Sequence, residues 1–181
     1  VCSSDLGGMG IIYKDESPQT AQAYAQAILP YLEQTGLKIV MEPGRFIAGN
    51  AGIFVTRVLY LKDNGFKKFF IVDGGMNDLI RPSLYNAYHE IVPLKKSNSS
   101  KIKADVVGPI CESSDVFARD RTMPAVEVGH LIAVLDAGAY GSVMAPNYNR
   151  HLLPPEVLVD YGRWTQIRRR QTLDDVLALE S

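Results

Sequence analysis

Cys111 and Glu112 stand side by side in the stretch Gly108-Pro109-Ile110-Cys111-Glu112-Ser113-Ser114-Asp115. A cysteine in such a place can be a small core residue, a nucleophile or an acid. His89 and His130 are both distant in sequence, so no neighbouring base is evident, and the residues alone leave a functional and a structural role equally open. Arg81 and Tyr85 lie four apart, and a helical turn would point both the same way. Together they could bind a carboxylate, the arginine by its fork and the tyrosine by its hydroxyl. Spacing alone favours the plainer alternative, a surface arginine beside a half-buried tyrosine.

Two further loops carry residue types suited to a phosphate, Gly7-Gly8-Met9-Gly10 and Glu42-Pro43-Gly44-Arg45. Glycine lets backbone N–H groups approach closely, and Arg45 could supply the charge. Alone, such a glycine stretch is more often just a turn. Tyr140, in Asp136-Ala137-Gly138-Ala139-Tyr140-Gly141, sits among small residues that leave space for a planar ligand. In isolation it reads as a tight turn with an exposed tyrosine.

The elements that would position these residues fall into two textures. Ser17-Pro18 predicts an N-cap with proline at N1. Ala21, Tyr24, Ala25, Ile28 and Leu32 follow at helical spacing, Pro30 should kink or shorten that helix, and Gly36 closes it. Leu37 to Met41 reads as a short buried strand ending in the Glu42–Arg45 loop. This helix–strand–loop unit has the look of the last part of a (β/α) barrel, whose phosphate sites often lie on its final loops. After about Gly52 come strand-like runs at 53–61, 67–73, 102–108, 130–136 and 156–161, separated by turn residues. They predict a mainly antiparallel β domain, a sandwich or Greek-key barrel. Residues 95–103 read as a solvated loop, and Thr172-Leu173-Asp174-Asp175 as the capping-box start of a short closing helix. The expected division is therefore 1–52, a barrel remnant, and 53–181, a β domain.

Composition sets bounds on function. Hydrophobic residues make up 46% and charged residues 22% of the 181, ordinary for a globular chain. Lysine and arginine number 19 against 20 acids, so a net charge of -1 gives no electrostatic reason to expect nucleic acid or a membrane surface as partner. No run approaches a transmembrane helix. Two distant cysteines, Cys2 and Cys111, make no disulfide framework and point to a cytoplasmic setting. No Cys/His cluster has zinc spacing, so no metal is expected. The first six residues do not read as a signal peptide, and their abrupt start predicts a truncated or mis-joined frame.

Five stretches occurring in this order carry a resemblance: Glu42–Arg45, Asp73-Gly74-Gly75-Met76-Asn77-Asp78, Arg81-Pro82-Ser83-Leu84-Tyr85, Gly108–Ser113 and Gly138–Gly141. From about Asp5 to the C-terminus the chain resembles the fold-type III pyridoxal-phosphate decarboxylases, and within them the branch that converts meso-2,6-diaminopimelate to L-lysine and carbon dioxide. The resemblance implies an N-terminal cofactor barrel and a C-terminal β domain. It implies that Gly8 and the segment Glu42, Pro43, Gly44, Arg45 hold the phosphate of pyridoxal 5'-phosphate. It implies that Arg45, Arg81, Tyr85, Glu112 and Tyr140 contact the substrate, that Tyr140 also contacts the cofactor, and that Cys111 is the proton donor. It implies a homodimer in which the partner delivers the Cys111–Glu112 loop. Arg81 and Glu112 then suit the distal carboxylate and distal ammonium of the substrate.

Two departures stand out. Only Gly7 and Gly8 precede Met9, where the family usually has three consecutive glycines. A complete barrel is typically ~250 residues, so the lysine that carries the cofactor should lie outside this chain, which is then expected to be inactive alone. The competing expectations are a sister decarboxylase acting on arginine, ornithine or carboxynorspermidine, and a non-catalytic dimerisation or binding module. The sisters tend to carry Asp after the cysteine, against Glu112-Ser113 here.

Overall fold

The computed structural model describes residues 8–38, 40–96 and 98–180. Cys2, Gly7 and Ile39 lie outside the described residues. Two regions follow one another, a helical N-terminal segment and a sheet domain.

The N-terminal segment contains α1 (Ala21–Glu33) and α2 (Gly44–Ala48). The cap of α1 is Thr20 rather than Ser17, because the Thr20 hydroxyl accepts the free N–H of Ala23 at 3.1 Å. Pro30 does not end the helix, which continues to Glu33 before Gly36 turns at φ +62. The expected strand over 37–41 is not formed at the described positions 37, 38, 40 and 41. Leu37 is 74% and Val40 70% exposed. A strand needs hydrogen-bonded neighbours, and no described strand lies beside this segment to supply them.

The sheet domain begins with β1 (Phe54–Asp63) and β2 (Lys68–Val72), then α3 (Arg81–Tyr85) and β3 (Ile91–Pro93). β4 (Lys101–Val107), β5 (Val116–Pro124) and β6 (Leu131–Val134) complete a six-stranded sheet of order β3-β6-β1-β2-β4-β5. Five expected strands are present, with β4 starting inside the predicted loop 95–103. β3, β5 and the strand over Arg163–Arg168 were not anticipated: β3 has three residues, and β5 is broken by charges, since Arg119, Asp120 and Arg121 interrupt its apolar pattern. The pairing is antiparallel except between β2 and β4, which run parallel, so the sheet is mixed.

Alternation along β1 sends Thr56 and Val58 inward; Val58 joins Phe70 and Val72 of β2 in the core, while the Thr56 hydroxyl donates to Asp73 Oδ1 at 2.6 Å. Val106, Phe117, Ile91, Ile132 and Val134 close the core. Each fully buried side chain of this size contributes roughly 1.5–3 kcal/mol. Phe54 of β1 reaches Phe117 of β5, with ring centroids 5.9 Å apart, and Arg121 of β5 donates to His89 O beside β3 at 2.8 Å. These contacts curl the sheet into a nearly closed barrel. β7 (Glu156–Asp160) and β8 (Arg163–Arg168) form a separate hairpin, and α4 (Leu173–Leu177) follows with the expected Thr172–Asp175 capping box.

Candidate active site

The site is assembled where the N-terminal segment meets the sheet domain. Ile11, 7% exposed, packs on the turn after α2, where a Cβ on Gly49 would fall 2.4 Å from Ile11 Cδ1. That contact brings the glycine turn to the Arg45 helix. Gly8 has φ +53, and a Cβ there would lie 3.0 Å from Tyr24 Oη, so the turn needs glycine both for its conformation and for space.

The 136–141 loop lies on the same helix. Ala137 N donates to Gly52 O at 2.8 Å and Gly138 N to Gly49 O at 3.1 Å, while Asn50 Nδ2 donates to Asp136 Oδ1 at 2.5 Å. Tyr140 follows in the left-handed region, φ +59, and is 41% exposed. The Arg45 guanidinium sits 5.5 Å and the Arg81 guanidinium 5.7 Å from the centroid of that one ring. Arg81 donates to Tyr13 Oη at 2.6 Å and stacks over the Tyr13 ring at 4.9 Å. Behind Tyr13, the buried His89 meets its ring edge-on at 5.3 Å. Burial pushes the His89 imidazole below its ordinary range, and the Arg81 charge adds to that.

Arg81 is only 7% exposed, yet neither it nor Arg45 has an ion-pair partner among the described residues. A buried cation without a counter-charge is costly. The buried Arg81 and the exposed Arg45, both over one phenol, make a receptacle for anions such as a phosphate or a carboxylate. Tyr85 does form the expected turn with Arg81 in α3, but it is 61% exposed, and among the described residues no hydrogen bond or ring contact joins its side chain to the Arg81 guanidinium.

Cys111 and Glu112 gather elsewhere. No hydrogen bond, ion pair or ring contact among the described residues joins them to Arg45, Arg81 or Tyr140. Their loop is held by Asp115, whose carboxylate accepts the N–H of Ile110 and of Met76, each at 2.6 Å. A Cβ on Gly108 would lie 2.4 Å from that carboxylate. Ser83 of α3 donates to Ser114 O at 2.6 Å, which ties the loop to the Arg81 helix. Burial raises the Asp115 carboxyl above its usual range, against the lowering effect of the two backbone donors. Cys111 is an exposed free thiol, and Tyr148 Oη donates to Glu112 Oε2 at 3.3 Å. Two surface depressions of about 330 Å3 lie outside both groups, since neither is lined by Arg45, Arg81, Tyr140 or Cys111.

Tyr13 and Tyr148 were not singled out from sequence, His89 entered only as a distant base, and Asp115 only as the end of the cysteine stretch. Tyr13 follows the glycine turn closely and Asp115 closes the cysteine stretch, so proximity was a usable signal for both. Only folding brings Tyr148 to Glu112.

Comparison with known proteins decides what these residues belong to. Residues 2–138 match the family described as "Pyridoxal-dependent decarboxylase, C-terminal sheet domain". The chain belongs to that family. It is 50% identical over 172 residues to a diaminopimelate decarboxylase of Aquifex aeolicus, covering 94% of this chain and 41% of the relative. A diaminopimelate decarboxylase of Vibrio cholerae is 44% identical over 176 residues, 97% of this chain and 42% of the relative. The Helicobacter pylori diaminopimelate decarboxylase structure complexed with L-lysine superposes with a TM-score of 0.89 at 44% identity, covering 96% of this chain and 43% of that one. The chain thus spans rather less than half the length of the curated relatives it matches. Its nearly closed sheet is the family's C-terminal sheet domain, and the members it resembles carry the diaminopimelate name.

Proposed function

We propose that this chain supplies the C-terminal part of a diaminopimelate decarboxylase, releasing carbon dioxide from meso-2,6-diaminopimelate to leave L-lysine. The observation that carries this is the pair of acid-free guanidiniums, Arg45 and Arg81, on the single ring of Tyr140. The names of the relatives support the same reading.

The residues fit pyridoxal 5'-phosphate. Gly44 presents unobstructed backbone, with nothing within 4 Å of a Cβ position, Gly8 supplies a turn that a side chain would crowd against Tyr24, and Arg45 adds charge for the phosphate. Glu42 and Pro43 lead into that segment, and Tyr140 offers its face to the ring. The bound cofactor would act as the electron sink for the electron pair left on the α-carbon when carbon dioxide departs.

This chain's own residues do the rest. Arg81, fixed by Tyr13, binds the distal carboxylate through its guanidinium, with Tyr85 at the outer edge. Glu112 takes the distal ammonium. Cys111 holds a proton on Sγ and gives it to the carbon that has lost its carboxylate. Because the Cys111–Glu112 loop stands apart from Tyr140 in one chain, it acts in the site of a second copy, in a homodimer.

We assign residues 1–52 to the cofactor barrel and 53–181 to the sheet domain, with the cofactor-carrying lysine in the remaining part of the enzyme. Cytoplasmic residence goes with this biosynthetic role. No described helix is long and apolar enough to cross a membrane. The test is carbon dioxide release by the complete enzyme from meso-diaminopimelate, ornithine and arginine. Predominant turnover of diaminopimelate is expected, and predominant turnover of ornithine or arginine would overturn the assignment. Borohydride reduction of this chain with the cofactor should leave its lysines unlabelled. Stoichiometric labelling of one lysine would place the missing group here after all.

A further inference from the structure

One aromatic residue beside the Cys111–Glu112 loop comes from none of the stretches that suggested the site. Tyr148 lies 36 residues beyond Glu112, and its phenol donates to Glu112 Oε2. It is 43% exposed and takes no part in the hydrophobic core. Packing alone therefore gives no reason for a large aromatic side chain at this place.

The turn that presents Tyr148 is built at a conformational cost. Asn149 has φ +51 and Arg150 φ +55, two successive non-glycine residues in the left-handed region. Such a turn persists only when its surroundings fix it. Asn147 Nδ2 donates to His151 O at 2.8 Å and to Gln171 Oε1 at 2.5 Å, and Gln171 Nε2 returns a bond to Asn147 Oδ1 at 3.3 Å. Gln171 Oε1 also accepts from Leu153 N at 3.0 Å, and Arg150 pairs with Glu180 at 2.8 Å. Tyr148 is held from one side by this framework, while on the other side the Cys111–Glu112 loop is held by Asp115. Two independently anchored segments thus meet at the phenol–carboxylate contact.

We propose that Tyr148 is a positioning residue that determines specificity, its phenol orienting the Glu112 carboxylate to receive an ammonium group at the far end of an amino-acid substrate. This rests on the reading of the site given above and deepens it. A carboxylate on an exposed loop can swing among rotamers. The Tyr148 phenol on Oε2 at 3.3 Å and the Ser114 N–H on Oε1 at 3.4 Å fix the carboxylate from two sides, and the second lone pair of each oxygen is left for an ammonium. The charge of Glu112, and then its hydrogen bond, hold the Tyr148 phenol above its ordinary range, with a smaller contribution from Cys111. Both members of the loop are therefore within electrostatic reach of the ring.

The complete enzyme with Tyr148→Phe tests this on two substrates, meso-diaminopimelate and 2-aminopimelate, which lacks the distal amino group. The KM for diaminopimelate should rise about 3–10-fold, the worth of one such hydrogen bond, with kcat changed less than about 2-fold. The KM for 2-aminopimelate should not move. Equal losses on both substrates, or no loss on either, would overturn the proposal. Tyrosine 13Cζ NMR of the chain itself gives a separate readout. Tyr148 should ionise above an ordinary tyrosine, and Glu112→Gln should return it toward that range. An unaltered titration in the Glu112→Gln chain would remove the contact. If wild-type enzyme left diaminopimelate untouched, the functional reading would fail, while the NMR titration would still decide whether Tyr148 orients Glu112.

Discussion

Gly52 and Gly138 meet backbone to backbone: a Cβ on Gly52 would lie 2.6 Å from Gly138 Cα, and one on Gly138 would fall 1.9 Å from Ala48 O. No side chain separates the Arg45 helix from the Tyr140 loop, and this is why the two residues reach each other. Gly138→Ala should force the segments apart and destabilise the chain by about 1–3 kcal/mol, the usual cost of overpacking. Cofactor binding by the complete enzyme should weaken with it. Urea unfolding and a cofactor titration check both, and unchanged values in the variant would show that the contact does not position Arg45.

Cys111→Ala in the complete enzyme should slow turnover by roughly 10²–10⁴-fold, the range for a positioned proton donor. Substrate binding should change little, because Glu112 and Arg81 remain. Steady-state kinetics would show a fall in kcat at near-constant KM. A variant turning over at close to the normal rate would take Cys111 out of the donor role.

Arg81→Lys should act on the other parameter. The guanidinium donates to Tyr13 while facing Tyr140, and a single ammonium cannot keep that fork geometry. The KM for diaminopimelate should rise with less effect on kcat. An unchanged KM would show that Arg81 does not hold the substrate.

The sheet domain was readable because its strands carry dense β-branched and aromatic runs between turn residues, as in 54–61 and 68–72. β3 was too short and β5 too charged to give such a signal, and the parallel pairing of β2 with β4 is a matter of topology that no local pattern encodes. The strand expected at 37–41 is absent at its described positions for a related reason, since an apolar run becomes a strand only where partners exist. Arg45, Arg81 and Tyr140 were legible through loop motifs, although their meeting on one ring was not. Tyr85 shows the limit of spacing: a helical turn formed, but burial separated its two ends.

Asp115 makes a prediction about pH. Burial raises its folded carboxyl above the unfolded value of about 3.9. The folded state then binds the proton more tightly than the unfolded state. The stability this linkage contributes is fully present below the unfolded pKa and is lost as pH rises through the folded one. Asp78, also raised by burial, has the same sign. Asp120 and Asp175, both lowered, have the opposite sign and lose their contribution as pH falls through their folded values. The total pH profile therefore mixes opposing trends, and only a difference isolates Asp115. The unfolding free energy of wild type minus that of Asp115→Asn should grow as pH falls from neutrality toward about 4, the unfolded carboxyl range. At neutral pH the variant keeps only one of the two acceptor oxygens that clamp Met76 and Ile110, so Cys111 should also alkylate at a different rate there. A stability difference that stays flat across this range would mean that the Asp115 carboxyl titrates like a free one.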